Sequence, residues 1–263
     1  MKYWIFITLL LASLCANAQV SDTLDKSLMS AELNFWHAKN DSCRFVAVLN
    51  KVRLYRHAGL YEQALTEADR IDAYTLTQKE DAALKYEKLT ANFLSDNYKY
   101  CPAITFDSSE LGAHAKEIKF MTLYSLNESE NWVGCKTQMV KYVLAGDSAR
   151  IKEIQKLPVG YKYKDPDKSK HLSAILPGLG ETYAGYPLKG ITSFVLNAGF
   201  LAFAGYNIYA GYYVTSIDLG IFPFLKFYKG GKRLSPILAE KHNEKESEKV
   251  KSQFRKEIDS ILN

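Results

Sequence analysis

Between Gly190 and Ile217 the chain has no charged residue, although Asp, Glu, Lys and Arg make up 24% of its 263 residues. That gap excludes an evenly amphipathic soluble fold and divides the chain by composition. Cysteine is scarce, at four residues, and no pair has the C-x-x-C spacing of a zinc or dithiol redox site. The five histidines, His37, His57, His114, His171 and His242, are scattered, and none falls in an H-E-x-x-H pattern. No G-x-S-x-G occurs. Gly178 and Gly180 have no Lys-Ser/Thr after them and no strand before them, so a phosphate loop is weakly supported. The formal charge of +5 is small, with lysines interleaved among acids, which argues against a nucleic-acid partner. The expectation is a non-enzyme with no catalytic residue, no metal site and no cofactor.

The first residues, MKYWIFITLLLASLCANA, place Lys2 before an apolar run from Tyr3 to Leu14, and Ala16-Asn17-Ala18 supplies a small-x-small cleavage site. The pattern predicts a secretory signal peptide over residues 1–18, with Gln19 as the first mature residue. Two other readings share these positions. Cys15 is placed for lipid attachment, although Leu14 before it is larger than that signal expects. An uncleaved anchor would have about a dozen apolar residues, short of the roughly 20 that a helical span needs. In each case the following domain is exported. Export permits disulfides. Cys43, Cys101 and Cys135 then remain, an odd number that allows at most one internal bridge, with buried thiols as the alternative.

From Ser27 to about Leu157 apolar residues recur at intervals of three and four, which predicts helices throughout. RFVAVLNKVRLYRHAG puts Val46, Leu49, Val52 and Tyr55 on one stripe, with Phe45 at its flank. Gly59 ends that helix, and LYEQALTEADRI starts another through Leu60, Ala64, Leu65, Ala68 and Ile71. The hairpin resembles a tetratricopeptide repeat, with Tyr55, Gly59, Tyr61, Ala64 and Ala68 at its aromatic, turn and small positions. FMTLYSLNESENWVGCKTQMVKYVL echoes it, Trp132 and Cys135 standing for Tyr61 and Ala64. Between the two, one clear helix is predicted whose partner is interrupted by Pro102 and a polar stretch; Asp107 to Glu110 reads as a helix N-cap. Hairpins of this kind stack into a solenoid with one face open, so an unidentified protein partner is expected on the helical-repeat surface. Tyr55, Tyr61 and Trp132 read as inter-helix core and not as ligand contacts.

The uncharged stretch is longer than a bilayer crossing requires. It predicts one span over about Gly190 to Asn207 and a second over about Tyr209 to Phe227. Tyrosines crowd YNIYAGYY, as rings do at a membrane boundary, and Gly199, Ala202, Gly205 and Ala210 offer close helix approach. Asp218 in the second span would cost about 2.5–3.5 kcal/mol at the bilayer centre. Three arrangements would relieve it: a hydrogen bond to Asn197 or Asn207, a wet crevice, or a segment lying along the interface. Pro223 predicts a kink. Upstream, Pro177, Gly178, Gly180, Gly185 and Pro187 break the Leu172 to Leu188 segment into short pieces.

SAILPGLGETYAGYPLKGITSFVLNAGF, followed by FYKGGKRLSPILAEKHN, resembles a family of small bacterial envelope proteins with the pattern LPG-x-G-x-x-YAG, some of which carry helical repeats in front. The resemblance covers Leu172 to Asn243 and is carried by Pro177, Gly178, Gly180, Tyr183, Gly185, Gly190, Phe194 and Asn197. Members usually have glutamine where Glu181 stands. The resemblance implies a membrane location and no defined activity.

The predicted organisation is therefore all-α: signal peptide 1–18, tetratricopeptide-like domain 19–160, basic linker 161–171, membrane segments 172–228 and a charged C-terminal tail 229–263. Val250, Phe254, Ile258 and Ile261 give the tail a thin helical stripe. The membrane motif is Pro177, Gly178, Gly180, Tyr183, Gly185, Gly190, Asn197 and Asp218. Lipid is a partner, and homo-oligomers through the membrane segments are allowed. Function reads as an envelope adaptor or scaffold; the alternative is a transport or pore component with Asp218 and Glu181 along a polar path. A two-span hairpin leaves the lysine-rich segments on both sides of it outside, against the positive-inside tendency. A third crossing, a re-entrant hairpin or an outer-membrane site would each resolve this.

Overall fold

A computed structural model of the chain describes residues 23–72, 76–106, 112–143 and 147–262. The predicted signal peptide, including Cys15, and the proposed cap at Asp107 to Glu110 lie outside the described residues. The structure is all-helical, with no strand among the described residues. It divides into two units, residues 1–155 with 257–263, and residues 156–256.

In the first unit, α1 covers residues 23–36 and α2 covers Asp41–His57. Asn40 caps α2, its side chain accepting from the Cys43 N–H at 2.8 Å. The buried stripe of α2 is Phe45, Val48, Leu49 and Val52, while Val46 is exposed. The predicted stripe was therefore centred one residue off: Val46 lies about 100° around the helix from Phe45. Helix α3, Tyr61–Ala68, buries Ala64 and Ala68 against it, and Leu84 and Ala91 of α4, Gln78–Leu94, complete the cluster. A capping box starts α4: Thr77 N–H donates to Glu80 Oε2, and Glu80 N–H to Thr77 Oγ1.

Two ion networks tie these helices together. Glu87 of α4, 2% exposed, accepts from Arg53 Nε and Arg56 Nε of α2, both at 2.7 Å. Lys51 donates to Glu32 at 2.7 Å and to Glu67 at 2.9 Å, linking α1, α2 and α3. Burial alone would lower the Lys51 ammonium, but its hydrogen bonds to Glu32 and Glu67 outweigh that and hold it above its ordinary value.

Three helices of this unit end alike: α2, α4 and α5, Ala115–Glu128. Each is followed by a residue of positive φ, Gly59 (76°), Asp96 (58°) or Glu130 (59°). The next N–H reaches back five residues: Leu60 to Tyr55, Asn97 to Asn92 and Asn131 to Leu126, each at 2.9 Å. Five residues past each turn comes a fully buried small side chain, Ala64, Cys101 or Cys135. Seven residues before each turn Val52, Leu89 and Leu123 are fully buried as well. Sγ of Cys101 lies 4.0 Å from the Leu89 carbonyl and that of Cys135 lies 3.5 Å from the Leu123 carbonyl. After α5 the chain continues into α6, Trp132–Tyr142. After α4, Pro102 confines it to the 3₁₀ turn Cys101–Ala103.

Cys43, Cys101 and Cys135 are all free thiols, Cys43 exposed and the other two buried. Burial raises the Cys101 thiol and pushes that of Cys135 to about 12. Helix α7 covers Ser148–Lys156, and Arg150 donates to the carbonyl of Ser260 at 2.7 Å, which draws the last turns of the chain into this unit.

In the second unit, Asp165 caps α8, Pro166–Ile175, with Pro166 in the first turn. The predicted linker 161–171 is thus only half irregular. Asn243 clamps its first part, accepting from Lys164 N–H and donating to Lys164 O, each at 2.8 Å. Helix α9 is Leu179–Tyr183 and α10 is Pro187–Tyr209. Gly211 (φ 83°) turns the chain. The next helix starts at Tyr213, four residues later than predicted: α11, Tyr213–Ser216, runs through a π turn at Ile217–Ile221 into α12, Phe222–Leu262. The charged tail is consequently not a separate element. Pro223 sits just after the π turn, where its missing N–H falls in an already shifted register. Among the described residues one helix, α10, is long and apolar enough to cross a membrane. Asp218, Lys226 and Lys229 interrupt the facing segment.

Candidate functional site

Helix α10 is built with its polarity inverted. Its buried residues are Gly190, Asn197, Ala204 and Asn207, whereas Leu188 (80% exposed), Ile191, Phe194, Val195 (59% exposed) and Leu201 face outward. Gly190, Asn197 and Ala204 are seven apart and form one stripe. Against it, in antiparallel sense, lie the helix residues after Gly211. Ser216 Oγ donates to the Ala204 carbonyl at 2.9 Å, a Cβ on Gly220 would come within 2.6 Å of Ala204 Cβ, and Phe200 stacks on Phe227 at 5.4 Å. Ala204 and Gly220 therefore provide the close helix approach expected of Gly199, Ala202, Gly205 and Ala210, while Gly190 is pressed on Gly178 and Thr182. Gly199 and Gly205 meet nothing within 4 Å. Tyr206, Tyr209, Tyr212 and Tyr213 are exposed at one end of the pair, and Lys189, Lys229, Lys232 and Arg233 lie toward the other.

The residues of the predicted motif divide by role. Gly178 (φ 91°) abuts Gly190: a Cβ on Gly178 would sit 2.0 Å from the Gly190 carbonyl oxygen. Gly180 is held as closely, its would-be Cβ 2.1 Å from the Ser169 carbonyl, and Gly185 backs onto His242. Tyr183 accepts from the Asp165 N–H at 3.2 Å and carries Lys164 and Lys168 over its ring. Pro177 sits in the break between α8 and α9. Asn197 donates to the Ser193 carbonyl at 2.7 Å, and its Oδ1 is buried with no partner. Asp218 is exposed, outside this seam. Neither Asn197 nor Asn207 pairs with it, since both amides donate to carbonyls of α10 itself.

The sequence set Glu181 beside Asp218 on a polar path; the structure separates the two and puts the Glu181 carboxylate at the centre of this unit. Glu181 of α9 is 1% exposed. Its Oε2 accepts from Ser173 at 2.8 Å, and its Oε1 has no partner. Among the described residues no lysine or arginine bonds to either oxygen. Above it opens a crevice of about 780 Å³ whose lining includes Leu188, Lys189, Leu196, Lys226, Phe227 and Gly231. A Cβ on Gly231 would stand 3.0 Å from Oε1 and 3.3 Å from Ser193 Oγ, so the glycine leaves the carboxylate room. Ser169 packs nearby, its hydroxyl 3.0 Å from the carbonyls of both Gly180 and Ser235. Glu181 was one acid in a glycine-rich stretch, and its burial depends on α8 and α12, which are distant in sequence.

Against known protein families, curated proteins and solved structures, the chain finds no match.

Proposed function

We propose that the chain is a membrane-anchored protein of the bacterial cell envelope, an adaptor or scaffold whose exported N-terminal unit offers a tetratricopeptide-like surface to a protein partner. The observation that carries this reading is the inverted polarity of α10 and its facing helix. Large apolar side chains point outward, with Asp218 and Lys226 of the facing helix the charged exceptions, and Gly, Asn, Ser and Ala point inward, the arrangement favoured where the solvent is lipid. The tyrosines at one end and the lysines at the other would mark the two boundaries.

The repeat reading draws on the three matching helix ends. The second and third are 34 residues apart, at Asp96 and Glu130, which is the tetratricopeptide period. On α1, Met29, Leu33 and Trp36 form an exposed apolar stripe of the sort a partner helix covers. Gly199 and Gly205, open on the outer face of α10, would serve contact with a second copy. The transport alternative needs Asp218 and Glu181 along one path. With Asp218 outside the seam, the adaptor reading is preferred.

Carbonate extraction, with protease accessibility of tags at both ends of the mature chain, tests the proposal. The expected result is retention in the membrane pellet and digestion of the N-terminal tag from the exported side. Intact chain in the soluble fraction would overturn it.

A further inference from the structure

We infer that the crevice over Glu181 binds a phospholipid whose headgroup carries a primary ammonium, of the phosphatidylethanolamine class. This rests on the membrane reading above. The carboxylate is oriented through Oε2 by Ser173, so Oε1 is presented in a fixed direction beneath the space that Gly231 leaves. A carboxylate removed from water is stabilised by a cation or by hydrogen-bond donors, and no lysine or arginine among the described residues bonds to Oε1, Lys189 and Lys226 standing on the walls. A compact cation that donates hydrogen bonds would satisfy both the charge and the lone pairs of Oε1. A primary ammonium has three N–H donors and fits; the trimethylammonium of phosphatidylcholine has none and is bulkier.

The rest of the lining suits the rest of a lipid. Lys226 and Lys189 line the walls, the latter with its ammonium over the Tyr186 ring at 5.3 Å, and either could turn to a phosphate. Leu188, Leu196, Phe227 and Leu234 offer apolar surface to the start of an acyl chain. About 780 Å³ is ample for a headgroup with its glycerol. Lys189 lies two residues past the start of α10, at the level where lipid headgroups meet a spanning helix. Phosphatidylglycerol would satisfy the lysines and could donate a hydroxyl to Oε1, but it brings no positive charge to the carboxylate.

The test uses the full chain in detergent and then in nanodiscs of phosphatidylcholine doped with phosphatidylethanolamine or phosphatidylglycerol, with bound lipid read by native mass spectrometry. Phosphatidylethanolamine should be retained preferentially. Glu181→Gln should reduce that preference over phosphatidylcholine by about tenfold, the size of one charge-assisted contact. Thr192→Trp, placed on the exposed side of the lining, should fill the crevice and expel lipid of every class without disturbing the buried seam. Equal retention of all three lipids, a preference for phosphatidylglycerol, or a Glu181→Gln protein with unchanged preference would each overturn the inference. A chain that stays integral to the membrane but shows no such preference refutes this site alone; a chain released by carbonate refutes the membrane reading beneath it.

Discussion

Gly178 and Gly190 meet backbone against backbone, the turn before α9 pressed on the first turns of α10 so closely that no side chain fits at either position. Gly178 also holds a φ of 91°, which an L side chain adopts only under strain. Gly178→Ala should therefore destabilise the second unit by about 3 kcal/mol through strain and overlap combined. Gly199→Ala, with nothing within 4 Å, should be neutral or slightly stabilising. Thermal unfolding of the two variants in detergent checks the contrast. Equal behaviour would contradict the packing.

A charge placed at the exposed Val195 tests whether the outward face of α10 meets lipid or water. On a soluble helix an exposed Val195→Arg would change stability by less than about 0.5 kcal/mol. On a helix facing lipid it should cost about 2.5–3.5 kcal/mol of insertion. The expected outcome is a shift of the variant from the carbonate-resistant pellet to the supernatant or to degradation. Unchanged fractionation would count against the outward face of α10 meeting lipid.

Glu87 holds two guanidinium groups of α2 on one buried carboxylate. Glu87→Ala leaves Arg56, largely buried, without its counter-charge and should cost about 3 kcal/mol. Arg53 is nearly half exposed, so Arg53→Ala should cost under about 1 kcal/mol. Hydrogen exchange on the full chain, read over α2 and α4, should show faster opening in the first variant and little change in the second.

The Lys51 network makes the first unit pH-sensitive at both extremes. The Lys51 hydrogen bond, more than any other influence, lowers Glu32 below its ordinary 4.5, against an opposing effect of burial. That contribution is complete above pH 4.5 and is lost as pH falls through the folded-state value. Lys51 is raised above 10.5, so its contribution is complete below 10.5 and is lost as pH rises beyond it. The thermal midpoint, followed by tryptophan fluorescence, should be nearly flat between these limits as far as this network is concerned. In Lys51→Met the acid-side loss should shrink, because Glu32 then has its main partner removed.

Much of the first unit was legible because its signals are local. The Gly59 turn, the small Ala64 and Ala68 and the Trp132 and Cys135 echo all follow from spacing along one helix or one hairpin. Val46 was misplaced because a run such as Phe45 to Leu49 fits two adjacent stripes, and the choice is made by α3 and α4. Asp96 was invisible as a helix terminator, since a non-glycine at positive φ is selected by the surrounding packing.

In the second unit the long apolar run was plain, but which of its residues face inward was not. Hydrophobic periodicity locates a water-shunning stripe, and here the inward stripe is the less apolar one, Gly190, Asn197 and Ala204. The site at Glu181 depended on Ser173, eight residues before it, and Gly231, fifty after. No local pattern joins those positions.

The helix that begins at Tyr213 runs, apart from its π turn, to Leu262, and its last turns complete the unit to which residues 23–155 belong. Synthesis therefore delivers Ile258 and Ser260 only after the apolar stretch from Gly190 to Phe227. The unit that α7 belongs to is thus completed late, and until then Arg150 is without the Ser260 carbonyl.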